Sequence, residues 1–142
     1  AKDFPKLRQK ALHLLQEEAE LNEIVQLVGV DSLSFTDRLK LETAKSIRED
    51  YLHQNAFHEI DTFTSTTKQY LLLKMILGWH EAAIKAVGEG GSFKKITEMS
   101  AREQIGRFKY VEEAKIQEQY EAILAEMTAE FDEIVQKEAE LA

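Results

Sequence analysis

The sequence predicts an all-α fold of about five or six helices with a long C-terminal helix. Apolar side chains recur at steps of three and four residues along most of the 142-residue chain. No stretch shows the alternation of apolar and polar residues that is typical of a half-buried strand. The length fits a single domain, residues 1–142, which we divide into a helical core at 1–111 and a long acidic terminal helix at 112–142.

The first two helices are predicted to form a hairpin. Residues 6–28 are amphipathic, and Gly29 is well placed to end this helix. Ser34 and Asp37 have the spacing of a capping box, which opens a second helix that we expect to run to about Gln54. The inward apolar stripe of the first helix comprises Leu7, Ala11, Leu14, Leu21, Val25 and Val28.

The middle of the chain supplies the predicted core helix. Residues 55–65 are rich in turn-forming and polar side chains and are predicted to be a loop or irregular turn. Residues 66–87 are apolar nearly all round, as in a helix buried at the centre of a domain. The glycines of residues 88–91 then end this helix.

The last part of the chain is predicted to hold shorter helices followed by a long one. Ser92 or Ser100 can cap the segment after the glycines, and Ser100 with Glu103 has the full capping-box pattern. After a break near Tyr110, residues 112–141 carry one apolar stripe that suits a long helix lying on a partner surface.

The net charge of −8 is concentrated at the C-terminus. Residues 112–142 hold ten acidic side chains against two lysines, whereas acids and bases cancel over residues 1–111. Proteins bind nucleic acids and membrane surfaces through clustered Lys and Arg, so we expect neither as a partner of this segment. No apolar run approaches the roughly 20 residues that span a bilayer, and we predict no membrane insertion.

The sequence contains no recognisable catalytic motif. A Walker A phosphate loop needs Gly-Lys-Ser/Thr, and that tripeptide does not occur. None of the four histidines follows a Glu at the three-residue spacing of di-metal helical bundles. With no cysteine, thiolate nucleophiles and disulfides are excluded. We therefore predict no catalytic residue and no metal ligand in this chain.

Three tracts resemble a known family. They are residues 27–38, Leu-Val-Gly-Val-Asp-Ser-Leu-Ser-Phe-Thr-Asp-Arg; residues 48–57, Arg-Glu-Asp-Tyr-Leu-His-Gln-Asn-Ala-Phe; and residues 68–70, Lys-Gln-Tyr. Together they resemble the C-terminal helical domain of the catalytic A subunit of vacuolar/archaeal-type rotary ATPases, also called A-type ATP synthases. The tract Asn-Ala-Phe-His-Glu at residues 55–59 fits the archaeal or bacterial branch better than the eukaryotic one.

The resemblance implies a role beside the nucleotide. In this family the part of the subunit before the C-terminal domain supplies the phosphate loop, the general base and the magnesium site. The position of Phe57 is expected against the adenine ring, and Phe63 is a second candidate. We therefore expect ATP or ADP with magnesium in the parent subunit, and no cofactor and no ATPase activity for the isolated domain.

The resemblance also implies a contact with the rotor. The helix–turn–helix at residues 27–38 looks like the element that pushes on the central stalk. Its turn holds only two acidic residues, so we expect steric contact rather than specific ion pairing. The predicted rotor-contact residues are Asp31, Ser32, Leu33, Ser34, Phe35 and Thr36. If Leu33 and Phe35 form the surface that contacts a partner, we expect both to be exposed in this chain. Alternatively, they clamp the two helices together, with Leu33 as a hydrophobic staple.

The implied partners are the non-catalytic B subunits and the central stalk subunits. The implied location is cytoplasmic, in the soluble ATPase sector peripheral to the membrane. Two other interpretations stay open. One is a free-standing helical interaction module without enzymatic activity, which would bind partner helices along residues 116–141. The other is a helical metal- or ligand-binding enzyme.

Overall fold

The structure is a computed structural model that describes residues 2–52 and 65–141. In these two ranges the chain forms helices and turns, without a strand. The α-helices are α1 (Phe4–Val28), α2 (Phe35–Ser46), α3 (Thr66–Gly88), α4 (Phe93–Thr97), α5 (Ser100–Arg107) and α6 (Ile116–Leu141). The predicted all-α fold with a long C-terminal helix is confirmed.

Helices α1 and α2 form the predicted hairpin. Gly29 ends α1 with a positive φ of 87°, and its N–H donates to the carbonyl of Val25 over 2.8 Å. Ser34 caps α2, because its Oγ accepts from the N–H of Asp37 at 3.1 Å. Regular α-helix then ends at Ser46 and continues as a π-helical turn at Ile47–Leu52. The predicted end of this helix, near residue 54, lies outside the described residues.

Helix α3 is the centre of the domain, as its sequence predicts. It contacts α1, α2, α5 and α6. Its side chains Met75, Trp79 and Ala83 are at most 2% exposed. The glycines end it as predicted: Gly90 has a φ of 93°, and a Cβ on Gly91 would lie only 2.9 Å from the carbonyl oxygen of Ala86. The turn after α3 thus depends on glycine.

The N-terminus of α5 corrects one prediction. Ser100 is the first helical residue rather than the cap, so the expected capping box with Glu103 is wrong. The carboxylate of Glu130 on α6 takes its place, accepting from the N–H of Ser100 at 3.0 Å and from that of Ala101 at 2.8 Å. A carboxylate is favourable there because the first N–H groups of a helix have no partner within the helix. Some of the acidity of α6 is therefore structural.

The ends of α4 and α6 can also be compared with the sequence. Ser92 caps α4, with its Oγ accepting from the N–H of Lys95 at 3.3 Å. The predicted break near Tyr110 is present as 3-10 turns at Phe108–Tyr110 and Glu113–Lys115. Helix α6 therefore starts at Ile116, four residues after the predicted start at 112. Among the helices described here, none combines the length and apolar character that crossing a membrane requires.

Candidate functional site at the hairpin tip

The open end of the α1–α2 hairpin carries a concentration of exposed apolar side chains. Of the eight large hydrophobic residues exposed in the described ranges, five fall within residues 24–35. Single exposed apolar residues are normal, but a cluster marks a surface that meets a partner. We call these five residues the tip: Ile24, Leu27, Val28, Val30 and Phe35. Leu27 is 85% exposed and Val28 65%, so the tip is open in this chain.

The predicted rotor-contact residues form the turn of this hairpin. Asp31, Ser32, Ser34 and Thr36 are exposed, as that role requires. The two apolar members differ: Phe35 is half exposed, whereas Leu33 is 8% exposed. The expectation that Leu33 is exposed is therefore wrong, and burial of this residue agrees with the alternative in which it clamps the hairpin.

The turn is held in one shape by local hydrogen bonds. The Ser32 hydroxyl donates to the carbonyl of Gly29 at 2.7 Å, and the N–H of Leu33 donates to that of Val30 at 3.0 Å. Arg38 on α2 reaches back, with its Nε donating to the Leu33 carbonyl at 3.2 Å and its Nη2 lying 3.6 Å from an Asp31 carboxylate oxygen. Because these polar groups are paired locally, the turn holds its shape through contacts of its own.

Phe35 connects the tip to a second element. Its ring stacks on that of Phe93 at the start of α4, with centroids 5.1 Å apart and planes 19° apart. The Arg38 guanidinium lies 5.3 Å from the centre of the Phe35 ring. Stacked aromatic pairs contribute about 0.5–1.5 kcal/mol beyond the area they bury. The tip is thus supported by the turn beneath it and by the body of the domain beside it.

Ion pairs join the two helices of the hairpin below the tip. The Lys40 ammonium on α2 lies 2.6 Å from a carboxylate oxygen of Glu17 on α1, and this hydrogen bond raises the pKa of Lys40. Arg48 in the π-helical turn forms a two-pronged contact with Glu18, with its Nε at 3.0 Å and its Nη2 at 2.8 Å from separate oxygens. Paired donors of this geometry fix orientation as well as distance. The helices are therefore coupled.

Buried polar contacts fix α2 to the helices behind it. Thr43 and His80 meet at 2.6 Å between α2 and α3, and burial lowers the pKa of His80, with a further contribution from Lys40. Arg102 on α5 lies 4.4 Å from the centre of the Trp79 ring and donates to the Ser46 hydroxyl at 3.2 Å. These contacts hold the hairpin on the domain at the C-terminal end of α2.

The predicted nucleotide-contact residues, Phe57 and Phe63, lie outside the described residues. The chain on either side is anchored: Lys68 is 1% exposed, and its ammonium donates to the carbonyl of Lys109 at 3.2 Å. Lys109 in turn donates to the carbonyl of Glu49 at 3.3 Å. Across residues 2–52 and 65–141, no group of three or more His, Asp or Glu side chains is placed to hold a metal ion.

The predicted rotor-contact residues omitted five residues of this region: Ile24, Leu27, Val28, Val30 and Phe93. Three of them, Leu27, Val28 and Val30, lie in the tract 27–38 that carries the resemblance. Ile24 and Leu27 lie off the inward stripe of α1, and apolar residues on the polar side of an amphipathic helix were the signal that could have found them. Val28 was placed on that stripe, and this is wrong: it sits in the last turn before the chain reverses at Gly29. No sequence signal pairs Phe93 with the turn.

Comparison with known proteins now identifies the family. Residues 1–97 match the C-terminal domain of V and A type ATP synthase. The chain is 51% identical over 140 residues to the V-type ATP synthase alpha chain of Acetivibrio thermocellus, covering 99% of this chain and 24% of that protein. It is 50% identical over 137 residues to the alpha chain of Clostridium botulinum strain Hall, covering 96% of this chain and 23% of that one.

A third relative is the V-type ATP synthase alpha chain of Thermoanaerobacter pseudethanolicus, with 56% identity over 114 residues, covering 80% of this chain and 19% of the relative. The organisms named are bacteria, which fits the bacterial side of the expected branch. The chain spans about a quarter of the length of these relatives. With its all-helical fold and its match over residues 1–97, the chain belongs to the family of C-terminal domains of V and A type ATP synthases.

Proposed function

We propose that this domain transmits nucleotide-driven closure of a catalytic subunit to the central stalk of a rotary ATPase or ATP synthase, and that the hairpin tip makes the contact. The observation that carries the proposal is the tip itself. Five apolar side chains are exposed at the end of a hairpin whose helices are joined to each other and to the domain. Such a surface fits a partner of the assembled complex.

The ion pairs support transmission of force. Glu18 on α1 and Arg48 on α2's π-helical extension join the two helices of the hairpin, and Thr43 and His80 hold α2 on α3. From Glu18 to Leu27 the helix rises about 14 Å, at 1.5 Å per residue. A displacement of the domain therefore moves the tip as one piece with the hairpin, as rigid-body closure of a domain requires.

The chemistry of the tip supports steric pushing. The turn has two acidic residues, and one of them, Asp31, already lies 3.6 Å from Arg38. The tip residues beside it are apolar, and the exposed Ser32, Ser34 and Thr36 of the turn carry no charge. Contact with the stalk then relies on packing, which is non-directional, rather than on particular ion pairs.

On the nucleotide side, we propose that Phe57 stacks on adenine and that Phe63 lies near it. A base stack contributes about 1–3 kcal/mol, which adds to binding but gives no catalysis by itself. ATP or ADP with magnesium would be held mainly by the part of the parent subunit that this chain does not cover. The other proposed partners are the non-catalytic B subunits, and the proposed location is the soluble sector on the cytoplasmic side.

The proposal is tested in the assembled complex. Leu27→Ser combined with Phe35→Ser should preserve ATP hydrolysis while reducing the rotation or ion transport obtained per ATP. Leu12→Ser is the matched control, because Leu12 is also 57% exposed on α1 but lies far from the tip in sequence. Full coupling in the double variant, or equal loss in the Leu12 control, would refute a pushing role for the tip.

The rival interpretation, a module that binds partner helices through α6, is not supported by the structure. The stripe that it relied on is used within the domain, since α6 packs on α3 and α5. Four members of that stripe are at most 8% exposed: Ile116, Ile123, Met127 and Ile134. Tyr120 is partly buried, and Leu141 alone, in the last turn of α6, is 77% exposed. That stripe is therefore not available to a partner.

A further inference from the structure

We propose that the stalk-contact surface extends beyond the hairpin onto Phe93, and that the stalk meets it with an aliphatic face. This inference rests on the proposed function and adds to it a second element and the chemistry of the partner. The surface in question is the aromatic pair, by which we mean Phe35 and Phe93. The stack between these residues is the only ring-to-ring contact that joins the hairpin to α4 among the described residues.

The geometry of the aromatic pair makes one surface from two elements. The rings are nearly parallel, 19° apart, and their centroids are 5.1 Å apart, so each ring covers a face of the other. Phe35 remains half exposed despite this contact, and Phe93 is partly exposed. A partner that touches the open side of Phe35 therefore meets a ring that is backed by Phe93 instead of a side chain free to rotate away.

Phe93 is itself fixed to the body of the domain. It begins α4 directly after the cap Ser92, and Ile96, three residues further on, is fully buried. The glycine turn before it approaches α6 closely, since a Cβ on Gly91 would lie 3.3 Å from Cγ2 of Ile134. Force applied to the aromatic pair is thus delivered to the body through α4 as well as through the hairpin.

The open apolar faces at the aromatic pair favour an aliphatic partner. The cation beside Phe35 is Arg38, and it is paired with Asp31 at 3.6 Å while its Nε donates to the Leu33 carbonyl. The pair itself offers ring faces and edges, Val30 adds a branched aliphatic side chain that is 43% exposed, and the exposed Lys94 and Lys95 border the pair on the α4 side. The complementary surface is a row of aliphatic side chains on a stalk helix.

The experiment measures binding of the 142-residue chain to the purified central stalk subunits of the same complex. Phe93→Ala should weaken binding about tenfold, the size of loss seen when a central aromatic anchor is removed from an interface. Phe93→Leu keeps an apolar side chain against the core but removes the ring; it guards against misfolding of the alanine variant and should show a smaller loss. Leu12→Ser should bind unchanged.

Salt separates an aliphatic from a charged contact. Because screening acts on exposed charges, the dissociation constant should change by less than about threefold between low and high salt. A change of more than about tenfold would overturn the aliphatic assignment.

The outcomes distinguish this inference from the proposed function. If Phe35→Ala and Leu27→Ser weaken binding while both Phe93 variants bind normally, the extension to Phe93 is wrong and the tip proposal stands. If none of these variants changes binding, or if the unsubstituted chain fails to bind the stalk, the proposed function fails as well.

Discussion

The two leucines of the hairpin are expected to respond to substitution in opposite ways. Leu33 is 8% exposed, so Leu33→Ala should reduce the free energy of unfolding by about 2–3 kcal/mol, the lower part of the range for buried leucines, because a site beside a turn can partly collapse. Leu27 is 85% exposed, so Leu27→Ser should change the free energy of unfolding by no more than about 0.5 kcal/mol. At roughly 4 °C per kcal/mol, Leu33→Ala lowers Tm by about 10 °C and Leu27→Ser by less than about 2 °C.

Binding to the stalk should show the reverse order. Covering Leu27 at an interface contributes about 1.5–3 kcal/mol, so Leu27→Ser should raise the dissociation constant about 10- to 150-fold. Leu33→Ala should change it little at temperatures where the variant is folded. The assays are thermal unfolding of the 142-residue chain, followed by circular dichroism, and titration calorimetry with the purified stalk subunits.

Two results would refute this reasoning. A Leu27→Ser chain that loses several kcal/mol of stability would show that Leu27 is a core residue, in conflict with its exposure. A Leu27→Ser chain that is stable and binds the stalk normally would show that the tip is not the contact surface. Because stability and binding are measured on the same variants, the two failures can be told apart.

Three further predictions address other parts of the chain. In the assembled complex, Phe57→Ala should raise the KM for ATP with a smaller effect on kcat, because adenine lies far from the reacting phosphate; a large fall in kcat at unchanged KM would contradict this. Burial lowers the pKa of His80 from its ordinary 6.5, so the unfolded chain takes up this proton first, and stability should fall as the pH drops below about 6.5 and then level off. His80→Gln should remove that component of the pH dependence. If the profile of stability against pH is unaltered in this variant, His80 does not contribute to it. Glu130→Ala should cost about 1–2 kcal/mol in urea unfolding through loss of the α5 cap, whereas Glu133→Ala, whose side chain is 68% exposed, should cost much less; equal effects would argue against the cap.

The sequence was sufficient where the determinants of structure are local. Gly29 and Ser34 act on groups within four residues of themselves, and the helix ends they define were predicted correctly. The cap of α5 could not be predicted in the same way. Its donor N–H groups belong to Ser100 and Ala101, and the acceptor is 29 to 30 residues away on α6. A local capping-box pattern was present and was not used.

Exposure at the tip also depends on contacts between residues that are distant in the sequence. The resemblance placed Leu33 in an exposed turn and periodicity placed Val28 on an inward stripe, yet the first is buried and the second is 65% exposed. Whether an apolar side chain is covered depends on which element passes over it, and this is decided by how α2 returns along α1. The stack of Phe35 on Phe93 joins residues 58 positions apart, and spacing along the chain contains no information about it.

The distribution of polarity along the hairpin suits the proposed role. Charged and hydrogen-bonded pairs lie where α1, α2 and α3 must keep fixed positions: Lys40 with Glu17, Arg48 with Glu18, and Thr43 with His80. Such pairs are directional, and breaking one leaves a polar or charged group without its partner. A surface that meets a turning stalk must instead exchange one contact for the next at little cost. Apolar contact depends on area rather than on orientation, which gives a physical reason for apolar side chains at the tip and ion pairs below it.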